Sequence, residues 1–366
     1  MGSKPTIRDV AKRAGVSIAT VSYVLNENPD ESISEKAKQR VMDAVRALNY
    51  HRAAAAVNLA TQRTRNIGII LYPGHSDVTN PFYSFVIQGI IREAMECDYN
   101  LLFSYVEPSY RDSQDLPKVI REANVAGVIF VGHLNPRMLY DIRDAGVAVV
   151  AIDHHPRIRN VASIQIDNRT GGQLAAEHLF GLGHEDFAFV GYVADNASIV
   201  QRAQAFLRTL ERLGVARASQ REVVPCETIT FDEGYERSRE LFRKNARLTA
   251  IFCANDEVAA GALRAIREQG KSVPADVSVV GFDDVIVASY TDPPLTTIRV
   301  GKDQLGRRAT ARLLDLVEKR RSDTREDVIP VELIVRSSTG SCRQRTRRAS
   351  EAPGRATRRR VSGRSA

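Results

Sequence analysis

From residue 66 onward, short runs of β-branched and aliphatic residues alternate with amphipathic stretches of helical period. The runs are Ile67–Leu71, Leu101–Tyr105, Val125–Val131, Val147–Ile152, Phe187–Gly191, Ala250–Cys253 and Val277–Phe282, with helical patterns over 83–97, 168–181, 200–213, 233–245 and 256–269 between them. Such alternation predicts parallel sheets flanked by helices on both faces. The polar stretch Asp153–Ile166 suits a crossing between two α/β lobes. The first fifty residues follow a different rule. Thr6 and Asp9 form a capping-box pattern ahead of the apolar face Ile7, Val10, Ala11 and Ala14, and Gly15 stops that helix. Ser17 is the expected N-cap of a second helix burying Val21, Val24 and Leu25, and Ser34 opens a third carrying Val41, Ala44, Val45 and Leu48. Three short helices with a tight glycine turn make a helix-turn-helix candidate.

A chain of 366 residues exceeds what one hydrophobic core sustains, so at least two domains are expected. The pattern divides it into a helix-turn-helix head over 1–50, a linker over 51–65, a two-lobed α/β body over 66–340 and a tail over 341–366. Within the body, lobe one is expected over about 66–164 and 296–325, and lobe two over about 165–295 and 326–340. Residues 53–60, Ala-Ala-Ala-Ala-Val-Asn-Leu-Ala, favour helix but are shorter than the ~12 to 15 residues an isolated helix needs in water, so this segment is expected to fray when free. From Arg343 the composition of Arg, Ser, Ala, Gly and Pro offers almost nothing to bury and predicts disorder.

Charge sharpens this layout. The net +8 is concentrated at the ends: residues 1–65 contribute +5, residues 341–366 contribute +8, and the middle sums to −5. Basic ends on an acidic body place nucleic-acid contact at the ends and another task in the middle. The N-terminus lacks an apolar signal region, and no stretch approaches the ~20 apolar residues of a membrane helix, so a cytoplasmic protein without membrane contact is expected. Cys97, Cys226, Cys253 and Cys342 are too scattered for a zinc knuckle or disulfide framework. His133, His154 and His155 read as solvated loop residues rather than metal ligands, and no cofactor is implied. There is no Ser-His-Asp spacing, P-loop or dinucleotide fingerprint, and Gly181-Leu-Gly183-His184 lacks the third glycine of one, so enzymatic chemistry is not expected.

The segment Thr6-Ile-Arg-Asp-Val-Ala-Lys-Arg-Ala-Gly-Val-Ser17, continued by Ile18-Ala-Thr20-Val-Ser-Tyr-Val-Leu-Asn26 and closed by Leu48-Asn-Tyr50, resembles the head of the lactose and galactose repressor family. The resemblance extends from residue 6 to about 340, ending in Val331-Glu-Leu-Ile-Val-Arg-Ser-Ser338. It implies a sequence-specific regulator of transcription, a repressor, controlled by a small-molecule effector bound in a periplasmic-binding-protein-like body. By resemblance Ile18, Ala19 and Tyr23 read bases, Ser17, Thr20, Ser22 and Asn26 hold the DNA backbone, and Tyr50 belongs with this DNA-binding set. Ile18 and Ala19 cannot form bidentate hydrogen bonds, so they would meet a thymine methyl or fit the groove, leaving Tyr23 most of the polar readout. The family's hinge wedges a leucine into the minor groove, and Leu59 holds the matching position. His51 and Arg52 stand where the family carries a proline. Two heads on a homodimer match a near-palindromic double-stranded operator. No C-terminal leucine heptad of the kind found in tetrameric members is present.

In the body, Asp153, the pair Asn255 and Asp256, and the pair Asp283 and Asp284 each follow an apolar run, where open α/β sheets bind ligands. The resemblance gives Asp153, Arg202, Asn255 and Asp283 to effector binding, with Phe82 of Asn80-Pro-Phe82-Tyr83 packing on the ligand and a sugar or sugar derivative as its class. Ala205 stands where the family usually has glycine. Asp256 and Asp284 read instead as helix N-caps. Two other classes compete: a solute receptor, which predicts a signal peptide and no helix-turn-helix, and an architectural DNA binder relying on the basic tail with Arg358-Arg-Arg360. The wedge has a direct test: Leu59→Ala is expected to weaken operator binding while leaving effector binding intact, and unchanged operator affinity in a gel-shift titration sinks the assignment.

Overall fold

The computed structural model describes residues 5–25, 33–50, 64–72, 78–106, 110, 115–122, 124–132, 136–153, 161–215, 220–318 and 326–342. Asn26, His51, Arg52, the expected hinge with Leu59, the three loop histidines His133, His154 and His155, and the Arg-rich tail lie outside these residues. The chain divides into two compact units, the first ending at Thr64 and the second beginning at Arg65.

The smaller unit is the head, with α1 (Ile7–Ala14), α2 (Ile18–Leu25) and α3 (Glu35–Leu48). Asp9 accepts hydrogen bonds from the Thr6 backbone N–H and hydroxyl, both at 2.8 Å. These bonds hold its carboxyl below the ordinary range, the backbone bond contributing most. Gly15 follows α1 at φ 63°, a conformation that strains any residue with a Cβ. Ser17 caps α2 by accepting the Thr20 N–H at 3.0 Å, and Ser34 caps α3 through the Ala37 N–H. The core is Val10, Ala11, Ala14, Val21, Val41 and Ala44, with Tyr50 packed at its edge.

The body begins with β1 (Asn66–Leu71), α4 (Pro81–Glu96), β2 (Asn100–Tyr105), α5 (Lys118–Arg121), β3 (Gly127–Val131), α6 (Pro136–Asp144), β4 (Ala148–Ile152) and β5 (Ala162–Ile166). It continues through α7 (Asn168–Gly181), β6 (Phe187–Tyr192), α8 (Ala197–Arg212), β7 (Arg221–Pro225), α9 (Phe231–Lys244), β8 (Ala250–Cys253), α10 (Asp256–Glu268) and β9 (Ser278–Asp283). The last elements are α11 (Ile286–Tyr290), β10 (Thr296–Val300), α12 (Lys302–Val317), β11 (Glu326–Ile329) and β12 (Val331–Ile334). One sheet has the order β11-β5-β4-β3-β1-β2 and is parallel throughout. The other runs β12-β10-β9-β8-β6-β7, with β12 alone antiparallel.

Two boundaries differ from the expected lobes. Residues 296–300, expected in lobe one, form β10 beside β9 in the second sheet, and residues 326–329, expected in lobe two, form β11 beside β5 in the first. The chain also crosses after Ile166 rather than within Asp153–Ile166, because β5 is a fully buried strand. Its polar members conceal it, and within the sheet Gln165 Nε2 donates to Ser163 Oγ. Each crossing is a single residue, Asp167, Gly301 or Pro330, between elements of opposite lobes. Helix α12 then packs on α4 at a backbone-to-backbone approach. A Cβ on Gly89 would collide with the Asp303 carbonyl, and one on Gly306 with that of Val86. Among the described residues no helix is long and apolar enough to cross a membrane.

The C-terminal segment is pinned to lobe two by His184, which is buried. Its Nε2 lies 3.1 Å from the Gly340 carbonyl and 2.9 Å from Ser278 Oγ, and its Nδ1 lies 3.0 Å from Thr249 Oγ1. A carbonyl only accepts, so Nε2 carries the proton and Nδ1 accepts from the threonine. Burial outweighs the carbonyl and drives the imidazole down to about 4. The folded state therefore binds fewer protons than the unfolded chain between about pH 6.5 and 4, and stability falls as pH drops through that window. The loss attributable to His184 is about 3 kcal/mol. In urea unfolding at stepped pH, His184→Asn is expected to flatten this slope; an unchanged slope removes the assignment.

Candidate ligand site and nucleic-acid interface

The C-terminal ends of β4, β8 and β9 and the starts of α4 and α8 converge on one polar centre. Lobe one supplies Tyr83 and Asp153, and lobe two supplies Arg202, Asn255 and Asp283. Arg202 lies on the buried face of α8 and is 4% exposed. Its Nε donates to Asn168 Oδ1 at 2.7 Å and its Nη1 to the Ala254 carbonyl at 2.6 Å. The guanidinium plane rests 3.6 Å from the centroid of Phe282, a cation–π contact. Its Nη2 stands 3.8 Å from Asp283 Oδ1, an ion pair too long to be a hydrogen bond. Helix α8 can bring Arg202 here because Gly172 of α7 leaves room for the Arg202 carbonyl, which a Cβ would strike.

Asp283 is 8% exposed, and its Oδ1 has no hydrogen-bond partner. Burial raises its carboxyl above the ordinary range, against the opposing pull of Arg202 and Lys302, and Asp153 raises it further. Asp153 accepts from Ser198 Oγ at 2.6 Å, a bond from β4 of one lobe to α8 of the other. Asp153, Asp283 and Asp284 all have positive φ, at 54°, 103° and 52°. Three side-chain-bearing residues in that region within one centre are the kind of strain that clusters at binding sites.

Three expectations change. Phe82 is buried in the core with Ile67, Ile69 and Leu71, whereas Tyr83 is the aromatic that feels the site. Burial and the charges of Asp153 and Asp283 raise its phenol, and Arg202 opposes them. Asn255, expected to meet the ligand, is the N-cap of α10: its Oδ1 accepts from Val258 N–H at 2.8 Å and its Nδ2 donates to the Ile229 carbonyl at 3.0 Å. Asp256 and Asp284 are not caps. Asp256 takes the Thr297 hydroxyl at 2.5 Å and the Val285 N–H at 2.8 Å, tying α10 to the loop after Asp283. Asp284 accepts from Arg299 at 2.7 Å and Arg336 at 2.6 Å.

In the head, Ser17, Ile18 and Ala19 are exposed at the N-terminus of α2, while Thr20, Ser22 and Tyr23 are half-buried. Ser17 and Thr20 share a hydrogen bond at 2.8 Å between their hydroxyls. One of the two hydroxyl protons is thereby left to donate outward, as a phosphate contact requires. Tyr50, expected in the DNA-binding set, packs against the head core and is half-buried.

The family described as "Bacterial regulatory proteins, lacI family" matches residues 6–53, and "Periplasmic binding protein-like domain" matches residues 176–339. The HTH-type transcriptional regulator RegA of Clostridium saccharobutylicum is 32% identical over 336 residues, covering 91% of this chain and 99% of RegA. Among solved structures, the lac repressor dimer bound to operator and the anti-inducer ONPF superposes with a TM-score of 0.80 at 28% identity, covering 92% of this chain and 100% of that one. The transcriptional regulator CelR in complex with cellobiose matches at a TM-score of 0.69 and 26% identity, covering 91% and 99%.

The two neighbouring aromatics should separate in a stability measurement. Phe82→Ala is expected to cost about 3–5 kcal/mol in urea unfolding, as a core truncation does. Tyr83→Phe should stay within about 1 kcal/mol of the parent. Equal losses overturn the division.

Proposed function

The chain belongs to the lacI family of bacterial regulatory proteins, and on that premise we propose that its body binds a small polyhydroxylated effector, a sugar or sugar derivative, which controls the grip of the head on an operator. It is a DNA-binding transcriptional repressor rather than an enzyme. The observation that carries the effector reading is the buried Asp283 Oδ1, desolvated and without a hydrogen bond beside the Arg202 and Tyr83 side chains. A buried carboxylate oxygen so placed is costly until a donor fills it. Ligand hydroxyls donate and accept together, and Asp153, Tyr83 and Asp283 offer the complementary atoms. The cellobiose bound by CelR supports the same class.

For the head, the exposed Ser17, Ile18 and Ala19 favour insertion of α2 into the major groove, with the hydroxyl pair on the phosphates. The body leaves Phe85 and Met95 of α4, Phe103 and Tyr105 of the edge strand β2, and Ile286 and Tyr290 of α11 exposed. Apolar exposure of this kind, on a sheet edge, is normally covered by a partner, and a second copy of the chain covers it here. Such a homodimer presents two heads to the half-sites of a near-palindromic operator. Coupling between effector and operator is typically about 1 to 3 kcal/mol, a roughly 5- to 150-fold change in affinity.

The test uses operator DNA selected from a random pool by the full-length chain, followed by anisotropy titration with and without sugars identified by thermal shift. The parent chain is expected to change affinity on adding the sugar, and Asp283→Asn to lose that response. A full response in the variant removes Asp283 from the site.

A further inference from the structure

Arg202 is hydrogen-bonded at two points, and one of them leads back to the other lobe. Its Nη1 is fixed by the Ala254 carbonyl of lobe two, whereas its Nε donates to Asn168 Oδ1 at 2.7 Å. Asn168 is the first residue of α7 and is 0% exposed, so it presents no surface to an effector. The other end of its amide is committed as well: Nδ2 donates to the Ile166 carbonyl at 3.2 Å. Ile166 is the last residue of β5 in lobe one, and only the crossing residue Asp167 separates it from Asn168. One buried side chain therefore reaches from a lobe-one carbonyl to the guanidinium in lobe two.

The start of α7 is shaped for this approach. A Cβ on Gly171 would lie 2.5 Å from the Phe282 ring, and one on Gly172 would lie 2.3 Å from the Arg202 carbonyl. Residues three and four apart share a helix face, so Asn168, Gly171 and Gly172 form one surface against Arg202 and the ring on which its guanidinium rests. With the Phe282 face, the Ala254 carbonyl and the Asn168 oxygen all in place, the planar fork has one orientation, and its Nη2 faces Asp283 at 3.8 Å. A primary amide suits position 168 because it accepts from the guanidinium and donates to the carbonyl at once. Removing it leaves a buried Nε–H without a partner and frees the fork to turn about its remaining contacts.

Resting on the reading of this cleft as a sugar-class effector site, we propose that Asn168 is a positioning residue for effector binding: it does not touch the ligand, and acts by aiming Arg202 Nη2 into the site beside Asp283.

Two readouts on the full-length chain test this. Calorimetric titration uses cellobiose, ribose, glucose and galactose, and NMR of isotope-labelled arginine follows the Arg202 Nε–H, identified by its loss in Arg202→Lys. Asn168→Ala is expected to weaken whichever of these sugars the parent binds by about tenfold, to cause no further loss when combined with Arg202→Lys, and to abolish the exchange-protected Nε–H resonance. A residue of structural value alone would lower the melting temperature without those signatures. Asn168→Ser, a short polar residue tolerated near helix starts that cannot reach both partners, gives the same reading should the alanine variant not fold. Unchanged sugar affinity in the variant overturns the inference, as does a loss that adds fully to that of Arg202→Lys, and either leaves the effector reading intact. If none of the four sugars binds the parent, the sugar reading fails and the Nε–H decides by itself: a resonance surviving in Asn168→Ala overturns the positioning, and its disappearance upholds it.

Discussion

The Arg202 guanidinium is the contact on which the body depends. One planar cation joins the start of α7 through Asn168, the end of β8 through the Ala254 carbonyl, the end of β9 through the face of Phe282, and the Asp283 carboxylate across an open 3.8 Å. A fixed fork and flat faces allow this, and a lysine ammonium offers neither. The arginine is buried, so its partners must stay where they are or leave a charge without compensation. Its fixed position gives Asp283 an attraction strong enough to stay near but too distant to saturate it. That geometry leaves Oδ1 without a hydrogen bond.

Much of this was legible in the chain, and the failures have physical causes. Unbroken apolar runs such as Ala250–Cys253 announce buried parallel strands. Strand β5 does not, because the polar Ser163 and Gln165, bonded to each other within the sheet, interrupt its apolar run, and β10 is masked by Thr296 and Thr297. The Thr297 hydroxyl is taken by Asp256, and the Thr296 N–H by Ser338 Oγ. Those threonines are buried because distant residues meet them, and a local pattern carries no sign of such partners. The site shows the same limit. Phe82 and Tyr83 are neighbours on a helix, so they point about 100° apart, and composition does not say which faces the ligand. Asn255 and Asp256 are both competent caps; only the approach of Thr297 and Val285 decides that the aspartate is needed elsewhere. Asp153 and Asp283 are marked in the sequence by the strand ends they follow as well as by the family pattern, whereas Arg202, inside helix α8, is marked by the family pattern alone.

The positive φ of Asp153, Asp283 and Asp284 gives the site a second character. Aspartate enters that region more readily than most residues, though not freely. The surrounding bonds hold it there: Ser198 on Asp153, Lys302 on the carbonyls of Asp283 and Asp284, and Arg299 with Arg336 on the Asp284 carboxylate. Most of these anchors come from the other lobe or from the strands and helix beside the crossings, so the local shape of the site and the angle between the lobes are held by shared bonds.

The three single-residue crossings give that arrangement a mechanical meaning. Two lobes joined by three single-residue links have few backbone torsions between them, those of Asp167, Gly301 and Pro330. Pro330 has its φ fixed by its ring, and the Asp167 carboxylate is clamped by the Thr170 N–H and hydroxyl at 3.0 and 2.6 Å. Gly301 is the joint with the fewest constraints on its torsions. Any rotation of one lobe against the other therefore finds its softest torsions at Gly301, the crossing beside the Lys302 that ties the two lobes at Asp283.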